Sequence, residues 1–312
     1  MKTLPYERRK QILTLLAQHE PLSVRGLMQM LEPMPEPRRL RDSLARLYRQ
    51  GLVTRRNHGL FGNSAIYYQL AHDRHAQTEV SKITGIDPNF CNRNHPRTAE
   101  LLHWEECAVF AHRLKTFLPE VRVFREHEFK HHPEINEWLL GALEDPTSAK
   151  PDIVALMEPE SDGHSNFIAI EIERTLKSKE RLKQKLDHYA NRTLIDGVIY
   201  VCANDEIIRA VELMYRSKRI KDSLRVGHYG NLFLMFMDRD AIMKKEPSIL
   251  FNSDFKHVEL SKWLELFNQV PMSNRRNLST RLQPSAAECL EHEIKIPKPE
   301  IKNTIQLLDE WD

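Results

Sequence analysis

Along the first fifty residues, apolar positions recur with the period of a helix; beyond them they alternate with the period of a strand. Ile12, Leu13, Leu15 and Leu16 give a first amphipathic helix ending near His19. Ser23 suits the N-cap of a second, Val24 to Leu31, which carries Leu27, Met28 and Leu31, and the proline-rich Glu32 to Pro37 stops it. A third, about Arg38 to Gln50, puts Leu40, Leu44 and Leu47 on one face at i, i+4 and i+7 and ends at Gly51. Leu52 to Arg56 and Ala65 to Leu70 then read as a hairpin around Asn57-His58-Gly59 and Gly62-Asn63.

Residues 73–99 hold Gly85, Pro88 and Pro96 among many polar groups and predict an irregular connector, with His72, His75 and His95 solvated. From Arg97 to Leu118 a helical pattern returns through Leu101, Leu102, Cys107, Ala108, Phe110, Ala111, Leu114 and Phe117, stopped by Pro119. Strands are predicted over Val121 to Phe129, Ile153 to Met157, Phe167 to Glu173, Gly197 to Cys202 and Asn231 to Met237. A basic helix ending near Tyr189 and an amphipathic one from Asp205 to about Lys218 fall between the later strands. The order of helix, three strands, helix, strand, helix, strand predicts a mixed sheet with flanking helices, an α/β (α+β) domain over 100–243. Residues 244–312 pattern weakly, as one helix from Val258 to Phe267 around Trp263, loosely ordered polar stretches, and Ile305 to Trp311 as a docking or recruiting segment.

Charge sharpens the N-terminal picture. Residues 1–72 carry twelve Lys and Arg against five acids, a net of +7 in a chain whose total is +2. Three helices and a hairpin in this order match a winged helix-turn-helix. Its third helix would enter the major groove with Arg38, Arg39, Arg41, Arg46 and Arg49, while Arg55 and Arg56 on the wing strand would touch the backbone. The bland alternative is a basic protein-binding module. The coincidence of charge with recognition helix and wing favours DNA.

With 312 residues, 41% hydrophobic and 29% charged, the chain has the composition of a globular protein of about two domains. No apolar run reaches the roughly 20 residues of a membrane span, and Met1 to Lys10 lacks the apolar stretch of a secretion signal. Cys91, Cys107, Cys202 and Cys289 form no CxxC pair, which predicts reduced thiols in a cytoplasmic protein with neither a disulfide framework nor a zinc site. The His127, His131, His132 group fits no standard zinc spacing.

The chemistry concentrates in 150–189. In the strand at 167–173, Phe167, Ala169, Glu171 and Glu173 share one face and Ile168, Ile170 and Ile172 the other. Asp152 follows Pro151 at the mouth of the preceding strand, and a polar turn over Glu158 to Asn166 folds the second strand back beside the first. Asp152, Glu171 and Glu173 thus converge. Such a cluster needs protons or a cation, and oxygen-only ligation favours Mg²⁺ or Mn²⁺. A solvated outer face is the plain alternative.

Pro151-Asp152, Glu171-Ile172-Glu173 and the lysine-rich helix resemble the PD-(D/E)xK nuclease core. Lys150-Pro151-Asp152, Ile170 to Thr175 and Arg181 to Tyr189, behind the winged helix, are similar to the replication-relaxation family, which includes MOBC-type plasmid mobilisation relaxases. The resemblance covers roughly residues 1–240. It implies a restriction-endonuclease-like mixed sheet holding Mg²⁺ or Mn²⁺, a plasmid transfer origin as DNA target, and accessory mobilisation and coupling proteins as partners. Glu173 stands where that core usually has Lys, as in some type II restriction enzymes, so the general base is unassigned; Lys183 or Lys185 on the next helix can supply the missing charge. Arg174, Lys177 and Lys179 are further expected DNA contacts. Three readings follow: a metal-dependent nicking endonuclease, a DNA-binding regulator with an inactive nuclease-like fold, and a relaxase attacking through a tyrosine. Of the tyrosines, Tyr189 is foremost, though its spacing from Leu182 and Leu186 places it in the core.

Overall fold

The computed structural model describes residues 6–19, 21–58, 65–87, 96–131, 150–157, 166–190, 197–223, 233–238, 249–251 and 257–259. Across these residues the chain is mixed α/β, with seven α-helices and two sheets. Helix α1 (Tyr6–His19) buries Ile12, Leu13, Leu15 and Leu16, as its periodicity requires. Strand β1 (Leu22–Ser23) leads into α2 (Val24–Met30), which starts where Ser23 Oγ accepts a hydrogen bond from Gly26 N at 3.1 Å. Helix α3 (Pro37–Arg49) opens on a proline, whose missing N–H removes one of the orphan donors of the first turn, and stops before Gly51 at φ 71°. Strands β2 (Val53–His58) and β3 (Ala65–Leu70) pair antiparallel, and β1 adds to β3 to give the order β1-β3-β2. The tip of this hairpin, with Gly59, Gly62 and Asn63, lies outside the described residues.

The connector expected over 73–99 is in part a helix. Helix α4 (Arg74–Thr84) is capped by the Asp73 side chain, which accepts from Ala76 N at 2.9 Å, and ends at Gly85 with φ 76°. Ala76, Val80 and Ile83 are buried on a face packed against α1. Their i, i+4, i+7 spacing is helical, but the polar residues between them hide it.

The second sheet orders as β10-β9-β8-β7-β6-β5-β4. Helix α5 (Leu101–Phe117) precedes β4 (Val121–Arg125), and a 3-10 turn over Glu126–His131 cuts short the strand expected to run to Phe129. Strands β5 (Ile153–Met157) and β6 (Asn166–Glu173) run antiparallel with Ile153 opposite Ile170, as the hairpin reading requires. Helix α6 (Lys179–Ala190), β7 (Gly197–Cys202), α7 (Asp205–Ser223) and β8 (Phe233–Asp238) follow, with β6, β7 and β8 parallel. Two short antiparallel strands, β9 (Ile249–Phe251) and β10 (His257–Glu259), extend the sheet in what reads by sequence as a helical or loose extension. Val258 thus lies in a strand rather than in the expected helix around Trp263. Residues 260–312, with the Ile305 to Trp311 segment, lie outside the described residues.

The alternation in β6 decides what packs where. Ile168, Ile170 and Ile172 join α5, β4, β5 and the N-terminal helices in one continuous apolar cluster. Ala169 joins Leu182, Leu186 and Tyr189 of α6, Val198 and Tyr200 of β7, and the buried side of α7 in another. Polar contacts also tie the N-terminal elements to the larger sheet. Ser23 N–H and Oγ meet the Glu105 carboxylate, His112 Nε2 lies 3.2 Å from the Met30 carbonyl, and Arg125 Nη2 donates to the Gln18 carbonyl at 2.6 Å. Among the described residues no helix is long and apolar enough to cross a membrane.

Candidate functional site

Glu171 and Glu173 leave β6 on the face covered by α6, so two carboxylates enter a side of the sheet that is otherwise apolar. They are 0% and 2% exposed. Burying ionised carboxylates without partners is strongly unfavourable, and the chain answers with α6. Leu182, Leu186 and Tyr189 hold that helix down, and Lys185, on the same side of the helix, points its ammonium between the glutamates. Lys185 Nζ lies 2.5 Å from Glu171 Oε2 and 3.2 Å from Glu173 Oε1. Lys177 Nζ approaches Glu173 Oε2 at 3.5 Å, and Tyr189 Oη donates a short hydrogen bond to Glu171 Oε1. Of the two lysines left open by the sequence, Lys185 is the one in the cluster; Lys183 is exposed on another face of α6.

Asp152 arrives from the neighbouring strand mouth. Its Oδ2 accepts from Ile172 N at 2.7 Å, and its Oδ1 meets His103 Nε2 of α5 at 3.1 Å. The hairpin register therefore puts Asp152 at the mouth of β5 next to the end of β6, with its carboxylate turned to Ile172 N and His103. The other expected cations divide. Arg174 Nε pairs with the buried Glu106 at 3.2 Å, so Arg174 and Lys177 are turned toward acids of the chain, while Lys179 lies exposed at the start of α6. Glu105, the neighbour of Glu106 on α5, accepts from Ser23 N–H and Oγ. Tyr189, Tyr200 and Tyr215 are all buried, so none of these three presents its hydroxyl to solvent.

Burial pushes the Glu171 carboxyl up to about 8 against the pull of Lys185, and the Asp152 charge adds to the rise. Asp152 moves the other way: burial alone would raise it, but the His103 hydrogen bond, the Lys185 charge and the Ile172 N–H hold it below the usual carboxylate range. Lys185, although burial opposes its charge, is kept protonated by Glu171 and Glu173. His103 is likewise raised: burial would lower it, and Asp152 more than compensates. At neutral pH the cluster thus stores a proton on Glu171.

A consequence for stability follows from the sign of these shifts. The folded state holds a proton on Glu171 that the unfolded chain releases near 4.5, so folding takes up protons between about 4.5 and about 8. Stability should therefore fall as pH rises through that window, by an amount on the order of a few kcal/mol, with His103 acting in the same direction from 6.5 upward. Urea unfolding in a chelator at stepped pH checks this. The wild type is expected to lose stability toward pH 8 and Glu171→Gln to show a flatter profile; parallel profiles would contradict the buried-proton assignment.

Asp152, Glu171 and Glu173 offer an all-oxygen donor set that suits a hard cation. Among the described residues, no donor in hydrogen-bond geometry reaches the buried Glu171 Oε2 or Glu173 Oε2, which face ammonium groups alone. By donor type these residues suit Mg²⁺ or Mn²⁺, but among the described residues their ligand atoms are not gathered into one coordination sphere, and Lys185 lies against both glutamates. Sequence reasoning missed His103 and Cys107 as neighbours of this cluster. They sit among apolar residues of α5, and only the seating of that helix against β5 and β6 reveals them. Of the His127, His131, His132 group, His127 stacks on Trp104 and takes a hydrogen bond from Arg125, while His132 lies outside the described residues. No family model, curated protein or solved structure matches the chain.

Proposed function

We propose that the chain is a DNA endonuclease of the nicking, relaxase-like kind, which binds a transfer-origin DNA through its N-terminal elements and cuts at the Asp152, Glu171, Glu173 and Lys185 cluster. One observation carries this reading. Lys185 places an ammonium against a glutamate pair while Asp152 arrives from the adjacent strand, which supplies the positive charge that Glu173 lacks at the usual lysine position of a PD-(D/E)xK core. The mixed sheet with a parallel centre supports the same core, and the order of α1, β1, α2, α3 and the hairpin, with the sheet β1-β3-β2, supports a winged helix.

Asp152, Glu171 and Glu173 would hold a Mg²⁺ or Mn²⁺ ion. Bound there, the ion supplies Lewis acidity toward the scissile phosphate and an activated water at neutral pH. The protein's own groups do the rest. Lys185 stays protonated and offers its charge to the phosphate oxygens, where negative charge grows in the transition state. With an ion bound, Glu171 would serve as a carboxylate, its proton having passed to solvent. The Ile172 N–H fixes the Asp152 carboxylate, and Tyr189 fixes Glu171, so the acids are oriented in advance.

DNA would lie along α3, where Arg38, Arg39, Arg41 and Arg49 are exposed while Leu40, Leu44 and Leu47 hold the opposite face in the core. Arg55 lies over the Tyr48 ring at 4.1 Å, which holds a wing-strand charge beside the helix. Arg39→Ala and Arg41→Ala are each expected to weaken DNA binding and to lower the slope of log affinity against log salt by roughly 0.9 per lost phosphate contact, without loss of stability. Unchanged slopes in both variants would remove α3 from the DNA interface.

A second reading has its own observation. Glu171 and Glu173 are buried and already faced by lysines, as suits an inactive nuclease-like core in a DNA-binding regulator. Supercoiled plasmid carrying the native transfer region, incubated with and without Mn²⁺, separates the two. Open circles formed only with Mn²⁺ support the endonuclease; intact supercoils, together with no Mn²⁺ binding, leave the regulator.

A further inference from the structure

Beside the hard-oxygen cluster, one group of described side chains brings three different donor atoms together. His103 Nε2, Cys107 Sγ and an Asp152 carboxylate oxygen all lie within 4.8 Å of one another. Helix geometry does half of this, because His103 and Cys107 stand at i and i+4 on one face of α5; the mouth of β5 brings Asp152 against them. Nε2 is 3.7 Å from Sγ and 3.1 Å from Oδ1. Around a tetrahedral zinc ion, with Zn–S about 2.3 Å and Zn–N or Zn–O about 2.0–2.1 Å, sulfur and nitrogen ligands sit about 3.5 Å apart and nitrogen and oxygen ligands about 3.3 Å apart. The observed separations are within a few tenths of an ångström of both. Nitrogen and sulfur donors suit zinc-class ions and disfavour Mg²⁺. Cys107 is buried, whereas the His103 side chain is 36% exposed, so the group is closed on the protein side and open to water on the other.

We propose that His103, Cys107 and Asp152 bind a zinc-class divalent ion, with water in the fourth position, and that this ion takes Asp152 away from the carboxylate cluster and switches nicking off. The thiol proton passes to the buffer as sulfur binds. The ion site stands on its own geometry; the switch rests on the endonuclease reading. The absence of a CxxC pair, which argues against zinc in the sequence, does not bear on a site assembled from one helix and one strand.

Co²⁺ is the probe. The full chain, stripped with a chelator, is expected to bind one equivalent of Co²⁺ with a thiolate-to-cobalt absorption in the near ultraviolet, bleached by Zn²⁺. Cys107→Ser should lose that absorption, and His103→Gln, at a partly exposed position, should weaken Co²⁺ binding by at least about 10-fold while circular dichroism stays unchanged. His103→Gln carries the test alone should Cys107→Ser fail to fold. No sulfur band in the wild type under excess Co²⁺, an undiminished band in Cys107→Ser, or unweakened binding in His103→Gln overturns the site. In the second arm, Zn²⁺ is expected to suppress Mn²⁺-supported nicking by the wild type and to spare Cys107→Ser, each relative to its own rate without Zn²⁺. Zn²⁺ that binds but leaves nicking intact overturns the switch. A chain that never nicks overturns it too, with the cobalt titration still deciding the site.

Discussion

Replacing Lys185 by Met is expected to slow nicking by about 10²–10³, equivalent to roughly 2.7–4 kcal/mol of transition-state stabilisation. It should also destabilise the fold, because the ammonium 2.5 Å from Glu171 and 3.2 Å from Glu173 is what makes two buried carboxylates tolerable. Removing one partner of a buried ion pair costs about 3–5 kcal/mol, since the other charge is left uncompensated. The two effects separate in the double variant Lys185→Met/Glu171→Gln. The amide at 171 removes the acid that Lys185 faces and is expected to restore part of the stability, so the share of the single variant's defect that comes from folding can be read off. Asp152→Asn is the companion, since the amide oxygen still accepts from Ile172 N while a ligand charge disappears; nicking falls steeply and DNA affinity holds. A folded Lys185→Met protein that nicks at the wild-type rate would reduce Lys185 to a structural counter-ion and hand the chain to the regulator reading.

The same geometry bears on two further substitutions in this cluster. Placing Lys at 173, which by resemblance restores the commoner motif, would here set a third ammonium against Lys177 and Lys185 and remove the carboxylate that holds them. Glu173→Lys is therefore damaging in this fold. Tyr189, whose spacing predicts a core ring, is indeed in the core, but its hydroxyl is spent on Glu171. Tyr189→Phe thus leaves a buried Glu171 oxygen without its donor and is expected to disturb the cluster.

The pairing of Glu171 with Glu173 is legible in the sequence because a strand has a period of two, and Asp152 because the hairpin register follows from one polar turn. The choice between Lys183 and Lys185 is legible in hindsight. Lys185 lies three residues after Leu182 and four before Tyr189, on the buried face of α6, and Lys183 does not. Helix α4 is obscured by its polar residues, and β9 and β10 are too short to carry a period. His103 and Cys107 carry no signal at all, since their meeting with Asp152 depends on how α5 is seated on the sheet, which no local pattern encodes.

That seating is itself testable at Gly26, where α2 meets α5. Glu105 is buried, and its carboxylate accepts from both Ser23 N–H and Ser23 Oγ, the latter at 2.9 Å, so it completes the start of α2 from a different helix. Gly26 lies within α2, where Ala ordinarily gains about 0.5–1 kcal/mol. Here a methyl group would come within 2.6 Å of Glu105 Oε2 and 2.7 Å of its Cδ, which reverses the sign. Gly26→Ala is expected to destabilise by about 1–3 kcal/mol, as overpacking does. Glu105→Ala should destabilise by a similar amount, about 1–3 kcal/mol, because the Ser23 N–H is left buried without an acceptor. The double variant decides the matter. With Glu105 shortened, the Gly26 methyl occupies the vacated space, so the two losses fall short of additive by at least about 1 kcal/mol. Urea midpoints of the four proteins supply the cycle. Strict additivity, or a Gly26→Ala protein more stable than the wild type, would mean that Glu105 does not press against α2 and that the basic N-terminal elements are not anchored through it to the sheet that carries Asp152, Glu171 and Lys185.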